Sequence, residues 1–203
     1  WQVKLLRRIG VTEAVVTTGH LADTLIAYLE SLDSGIRFHF VPNPKYRETN
    51  YIYSMYLARN LLRGQDVISL HGDLVLPAVM DALAASGRSV MAVDSTLPLP
   101  DKDFKALIQD GRIRRVGVDC FDAGSVECQA AYHWQAADFS SWMDEIERFV
   151  ECGDVKCYAE NAFNAVSGEI PLYPLECGGR LCAEIDNQAD REVVLTRFRQ
   201  EVL

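Results

Sequence analysis

Two short stretches carry residue types that could do chemistry, His71-Gly72-Asp73 and Glu184-Ile185-Asp186. Asp73 follows Val67-Ile68-Ser69-Leu70, a continuous apolar run that suits a parallel strand covered on both faces. Gly72 lets the backbone turn or approach a ligand closely. In open α/β sheets ligands sit at the carboxyl ends of strands, so a carboxylate left there is a candidate metal ligand or general base. Asp186 lies where a second strand ends, more than a hundred residues away. Magnesium wants oxygen ligands and usually takes one or two carboxylates plus substrate phosphates. Two aspartates facing each other across a sheet edge fit that need. An aspartate capping a turn, or a solvated loop aspartate, explains the same residues, and spacing alone does not separate these readings.

The elements around Asp73 alternate. Trp1 to Ile9 has helical spacing with Gly10 placed to end it. Thr12 to His20 reads as a β-branched strand, Leu21 to Leu32 as an amphipathic helix, and Ile36 to Val41 as a second strand stopped by Pro42-Asn43-Pro44. A helix from about Asn50 to Leu62 follows, capped by Thr49 or Asn50, and the strand into Asp73 comes next. Three strand-helix alternations argue for a parallel sheet with right-handed crossovers. Downstream come a short helix (77–85), a buried strand (89–93) and a hairpin of 104–109 with 113–118 around Asp110-Gly111. A strand at 127–134, helices at 139–151 and 158–167, a strand at 170–175 and a terminal helix from about Asn187 to Glu201 complete the chain. The expected fold class is α/β, a Rossmann-like three-layer α/β/α domain with a mixed, mostly parallel central sheet.

The 203 residues suit a single domain with a sizeable core. A net charge of −9 argues against a nucleic-acid partner, which needs a basic footprint. Phosphorylated small molecules stay open to an acidic protein if metal ions carry the positive charge. The six cysteines show neither CxxC spacing nor a Cys/His cluster, which reads as reduced, mostly buried thiols. No stretch reads as a membrane span, so a cytoplasmic protein without a membrane partner is expected.

Taken together, NPKYRETNYIYSMYLARNLL, HGD, YAEN and EIDNQAD, in this order, resemble the small nucleotidyltransferases of the choline-phosphate cytidylyltransferase type, related to the sugar-phosphate nucleotidyltransferases. The resemblance runs from Trp1 to the terminal helix. It implies a nucleotide-diphospho-sugar transferase-like fold and a reaction joining CTP to a small phosphorylated amine with release of pyrophosphate. By match, Asp73 and Asp186 would be catalytic and would hold Mg2+ on the nucleotide phosphates. Thr18, Gly19, Asn50, Ser54 and Gly72 would bind the nucleotide, although Asn50 is equally a helix cap. Trp134, Tyr158 and Glu160 would surround a cationic head group, the rings by cation–π attraction and the carboxylate by charge; Trp134 as core packing remains open. His71 is not expected to be a base, and His20, His39 and His133 read as structural.

The family's glycine-rich loop with Arg and Lys, which cradles the triphosphate, has no counterpart between Trp1 and Leu203. The expectation is therefore a single nucleotidyltransferase-like domain over 1–203, truncated at its N-terminus and inefficient alone. A homodimer is among the assemblies open to it. A sugar 1-phosphate acceptor, glycosyl transfer, or a non-catalytic nucleotide-binding module are the competing readings. Against glycosyl transfer, HGDLV lacks the first aspartate of a DxD motif.

Overall fold

The computed structural model describes residues 1–202. In chain order the elements are α1 (Gln2–Arg8), β1 (Glu13–Thr18), α2 (Ala22–Ser31), β2 (Arg37–Pro42), α3 (Tyr51–Leu62), β3 (Val67–Leu70), β4 (Leu74–Val75) and α4 (Met80–Ala84). Then follow β5 (Val90–Asp94), β6 (Lys105–Gln109), β7 (Arg112–Gly117), β8 (Ser125–Trp134), α5 (Ala136–Glu151), α6 (Ala159–Val166), β9 (Tyr173–Glu176), β10 (Ala183–Glu184) and α7 (Gln188–Val202).

The long strand β8 organises the sheet. One of its edges bonds to β5, which bonds in turn to β9. Its other edge is shared: residues 125–127 pair with β6 and residues 131–134 with β3. The β6–β7 hairpin turns at Asp110 and Gly111, whose φ values of 51° and 72° are left-handed, as the Asp-Gly pair requires. Strands β3, β5, β6 and β9 run one way and β7 and β8 the other, so the sheet is mixed, and its ladders through β8 are antiparallel.

The strand leading to Asp73 departs from expectation here. β3 bonds antiparallel to β8, and its four residues are only half-buried. An apolar run reports that a strand is covered, not which way its neighbour runs. The expected parallel run of three strands also reduces to β1 with β2; among the described residues neither joins β3.

Alternation along β8 divides the core. Cys128, Ala130, Tyr132 and Trp134 point into a cluster with Ile52 of α3, Trp142 of α5 and Phe163 of α6. Ala131 points the other way, into a cluster with Leu5 of α1, Met80 and Leu83 of α4, and Leu74, Leu76, Cys177 and Cys182. Helices thus cover both faces, as a three-layer α/β/α fold requires. Among the described residues no helix is long and apolar enough to cross a membrane.

Candidate active site

The turn after β3 is tied down from three sides. His71 N donates to Ala130 O of β8 (3.1 Å). The Gln2 side-chain amide of α1 donates to His71 O (2.7 Å) and Leu74 O (2.9 Å). Ile185 N donates to Asp73 O (3.1 Å), and β4 pairs antiparallel with β10 so that Glu184 stands opposite Leu74. These constraints bring one ligand atom each of His71, Asp73 and Glu184 within 4.8 Å of one another, with His71 Nδ1 3.5 Å from Glu184 Oε1.

Asp186, two residues on, is exposed beside this set. Desolvation, then the charges of Glu184, Asp73 and Asp190, hold its carboxyl above the usual range. Asp103 is raised by burial and by Glu184 and Asp186. Like charges gathered this way favour a cation. The sequence reading paired Asp73 with Asp186; the compact set is Asp73 with Glu184 and His71. Alternation could have found Glu184, since residues two apart in an extended segment share a face.

Thr18 and Gly19 sit at the end of β1, Asn50 and Ser54 at the start of α3 and Gly72 in the turn after β3; Gly19, Asn50 and Ser54 already have structural duties. Thr18 ends β1, is 5% exposed, and its Oγ1 has no hydrogen-bond partner. A Cβ on Gly19 would stand 2.7 Å from Tyr46 Cβ, so packing alone demands glycine there. Asn50 caps α3, its Oδ1 accepting from Tyr51 N at 2.7 Å. Ser54 Oγ accepts from buried Asn43 (3.0 Å), which also donates to Thr49 Oγ1 and so folds the NPKYRETN loop against α3. Gly72 is exposed, and a Cβ there would meet nothing within 4 Å.

Two of the three expected head-group residues are corrected. Trp134 is fully buried between Tyr132, Trp142 and Phe163, so it is core and cannot line a site. Glu160 is 2% exposed and receives the hydroxyls of both Tyr132 (2.7 Å) and Tyr51. Burial pushes its carboxyl up to about 8, so it is largely neutral near pH 7 and offers no charge to a cation. Tyr158 alone remains accessible, edge-on to Phe104 at 4.9 Å, on a cleft of about 300 Å3 that also meets Arg115, Asn161 and Asn164.

Sequence reasoning missed two further features. Tyr51 bridges the two halves of the site, its ring 4.8 Å from that of His71 and its hydroxyl on Glu160. Lys45, Arg47 and Lys156 line an open groove of about 570 Å3 at the start of α3. The cations of the loop before α3 were visible in the sequence; Lys156, a hundred residues away, was not linked to them.

No family model matches the chain. It is 39% identical over 95 residues to a CMP-5'-(3-aminopropyl)phosphonate synthase of Streptomyces rubellomurinus, covering 46% of this chain and 15% of that protein. It is 30% identical over 118 residues to a CTP:phosphoglutamine cytidylyltransferase of Campylobacter jejuni, covering 54% of this chain and 46% of that one. The chain thus spans less than half the length of either relative. Among solved structures it superposes on a CTP:phosphocholine cytidylyltransferase from Streptococcus pneumoniae with a TM-score of 0.72 at 21% identity, over 96% of this chain and 82% of that one. On the inositol-1-phosphate CTP transferase from T. maritima the TM-score is 0.75 at 19% identity, over 100% and 83%. The chain therefore carries the fold of these nucleotidyltransferases.

Proposed function

We propose that the protein is a divalent-metal-dependent cytidylyltransferase, joining CTP to a small phosphorylated amine and releasing pyrophosphate. The observation that carries this reading is the set His71, Asp73 and Glu184 at the end of β3, with Asp186 beside it. The two sequence relatives, both named for CMP or CTP chemistry on an amine-bearing acceptor, support it.

The donor set suits a metal. Carboxylate oxygens favour magnesium or manganese, and their mutual repulsion has no Lys or Arg ion pair to relieve it among the described residues. We take Mg2+ as the ion, held by Asp73 and Glu184 with Asp186. When bound it would neutralise charge on the nucleotide phosphates. Lys45, Arg47 and Lys156 would hold phosphate oxygens in their groove, and Tyr51 would keep His71 in place. Tyr158 and Phe104 would face the acceptor, whose phosphate oxygen attacks the α-phosphate in line while pyrophosphate leaves. Fixing the two phosphates in that geometry is itself a large part of the acceleration.

We assign the activity to a longer cytoplasmic protein in which a glycine-rich phosphate loop completes the site. The edges of β1 and β3 that have no strand partner among the described residues support that assignment. The test is pyrophosphate release by the full-length protein with CTP and Mg2+, offered 2-aminoethylphosphonate, phosphocholine or glucose 1-phosphate. Turnover with an amine acceptor is expected. Turnover with the sugar phosphate alone overturns the reading.

A further inference from the structure

Between its ladders to β6 and β3, β8 leaves residues 128–130 at the junction of two strands that run in the same direction. The turn after β3 arrives at that junction, with His71 N on Ala130 O, and so does the start of β6, with Cys128 N on Phe104 O. Two polar side chains flank it, Glu127 and Gln129, 7% and 9% exposed. By alternation they share the face of Ala131, the side on which Leu74 of β4 and Cys182, just before β10, are packed.

Neither is explained by packing. The Gln129 amide donates to Glu127, while the Gln129 carbonyl oxygen is buried with no hydrogen-bond partner. A buried acceptor left unmade is costly and calls for an explanation. Burial first, then Asp94, Asp103 and Glu184, push the Glu127 carboxyl up to about 7 against the lowering bond from Gln129. Lys105 stands directly across the ladder, yet its ammonium is already committed to Pro100 O (2.7 Å), Asp103 O (3.0 Å) and the face of Phe121. The pair therefore presents an orphan acceptor and a poorly compensated carboxyl amid negative charge, with the Gln129 amide as the side-chain donor to the carboxyl.

We propose that Glu127 and Gln129 bind the primary ammonium group of the acceptor, and that they select primary amines over quaternary ones. An ammonium carries three N–H donors and no acceptor, so it satisfies the Gln129 oxygen and the Glu127 carboxylate together. A trimethylammonium has no N–H and leaves the Gln129 oxygen unmade. Selectivity built on hydrogen bonds of this kind is steep, because the wrong ligand leaves buried polar groups unpaired.

The inference rests on the cytidylyltransferase reading for its acceptor, but binding can be measured apart from turnover. Calorimetry on the full-length protein should show tighter binding of 2-aminoethylphosphonate than of phosphocholine, by about tenfold or more. Glu127→Gln and Gln129→Leu should each erode that preference. In the pyrophosphate assay the same variants should raise KM for the amine more than they lower kcat. Equal affinity for the two acceptors in the wild type, or an unchanged ratio in both folded variants, overturns the inference even if CTP is turned over. Amine binding that depends on Glu127 and Gln129 without pyrophosphate release upholds it and overturns the enzyme reading instead.

Discussion

At the scale of single residues, the site separates carboxylates by what surrounds them. Asp73 and Asp186 are exposed and Glu184 is half-buried, among like charges. Asp73→Asn should lower kcat/KM of the full-length protein by about a hundredfold or more, the cost of losing a positioned charge contact. Asp186→Ala should cost more than about tenfold; a smaller loss would remove it from the metal site. Glu160 behaves in the opposite sense. Its folded pKa of about 8 lies above the unfolded value near 4.5, so the folded state retains a proton that the unfolded state has released. Its stability contribution is full below pH 4.5 and is lost as the pH rises through 8. The unfolding free energy should accordingly fall across that window, by on the order of 1.4 kcal/mol per pH unit at most, and the melting temperature with it. Glu160→Gln, which keeps partners for both tyrosine hydroxyls, should flatten the slope, and a series of thermal melts from pH 5 to about 8.5 would show whether it does.

At the scale of elements, the acidic turn after β10 is held by the helix that follows. Asn187 Oδ1 accepts from Ala189 N (2.8 Å) and Asp190 N (3.1 Å), and Asp190 Oδ2 accepts from Asp186 N (3.1 Å). The cap and Asp186, proposed as a metal ligand, thus share one hydrogen-bonded turn. Asn187→Ala should cost about 1 kcal/mol in urea unfolding and weaken Mn2+ binding severalfold, even though Asn187 touches no ligand atom. Elements of this kind were legible in the sequence because their signals are local. Gly10, Asn50 and Asp110-Gly111 marked ends and turns, and every helix longer than one turn was placed within a few residues. What was not legible is non-local. That β8 separates β3 from β5, that Leu74-Val75 pairs with Ala183-Glu184, and that Trp134 faces inward all depend on partners far away in sequence. Asp73 and Asp186 could be named from the family resemblance. Tyr51 and the Glu127–Gln129 pair emerged only once the strands were laid side by side.

At the scale of the whole molecule, stability is unevenly spread. β8 is bonded along both edges and carries the larger core cluster, whereas β1 and β3 each have one edge without a strand partner among the described residues. Amide exchange should therefore be slowest at Cys128 to Trp134 and faster by orders of magnitude along β1, since local opening there disrupts far less packing. Uniform protection across both strands would contradict that picture. The tilted contact of Trp134 with Trp142, at 4.8 Å between centroids, gives this centre an optical handle. The Trp134 indole N–H has no hydrogen-bond partner and that of Trp142 donates to Ala159 O at 3.0 Å, so both rings are shielded from water at the seam of α5, α6 and β8. Their emission should be blue-shifted and their near-ultraviolet dichroism strong. Trp1, 47% exposed and edge-on to Phe198, supplies the red-shifted remainder. In a Trp1→Phe variant, intrinsic fluorescence would report the docking of the two helices on the sheet, free of any signal from the ends of the chain.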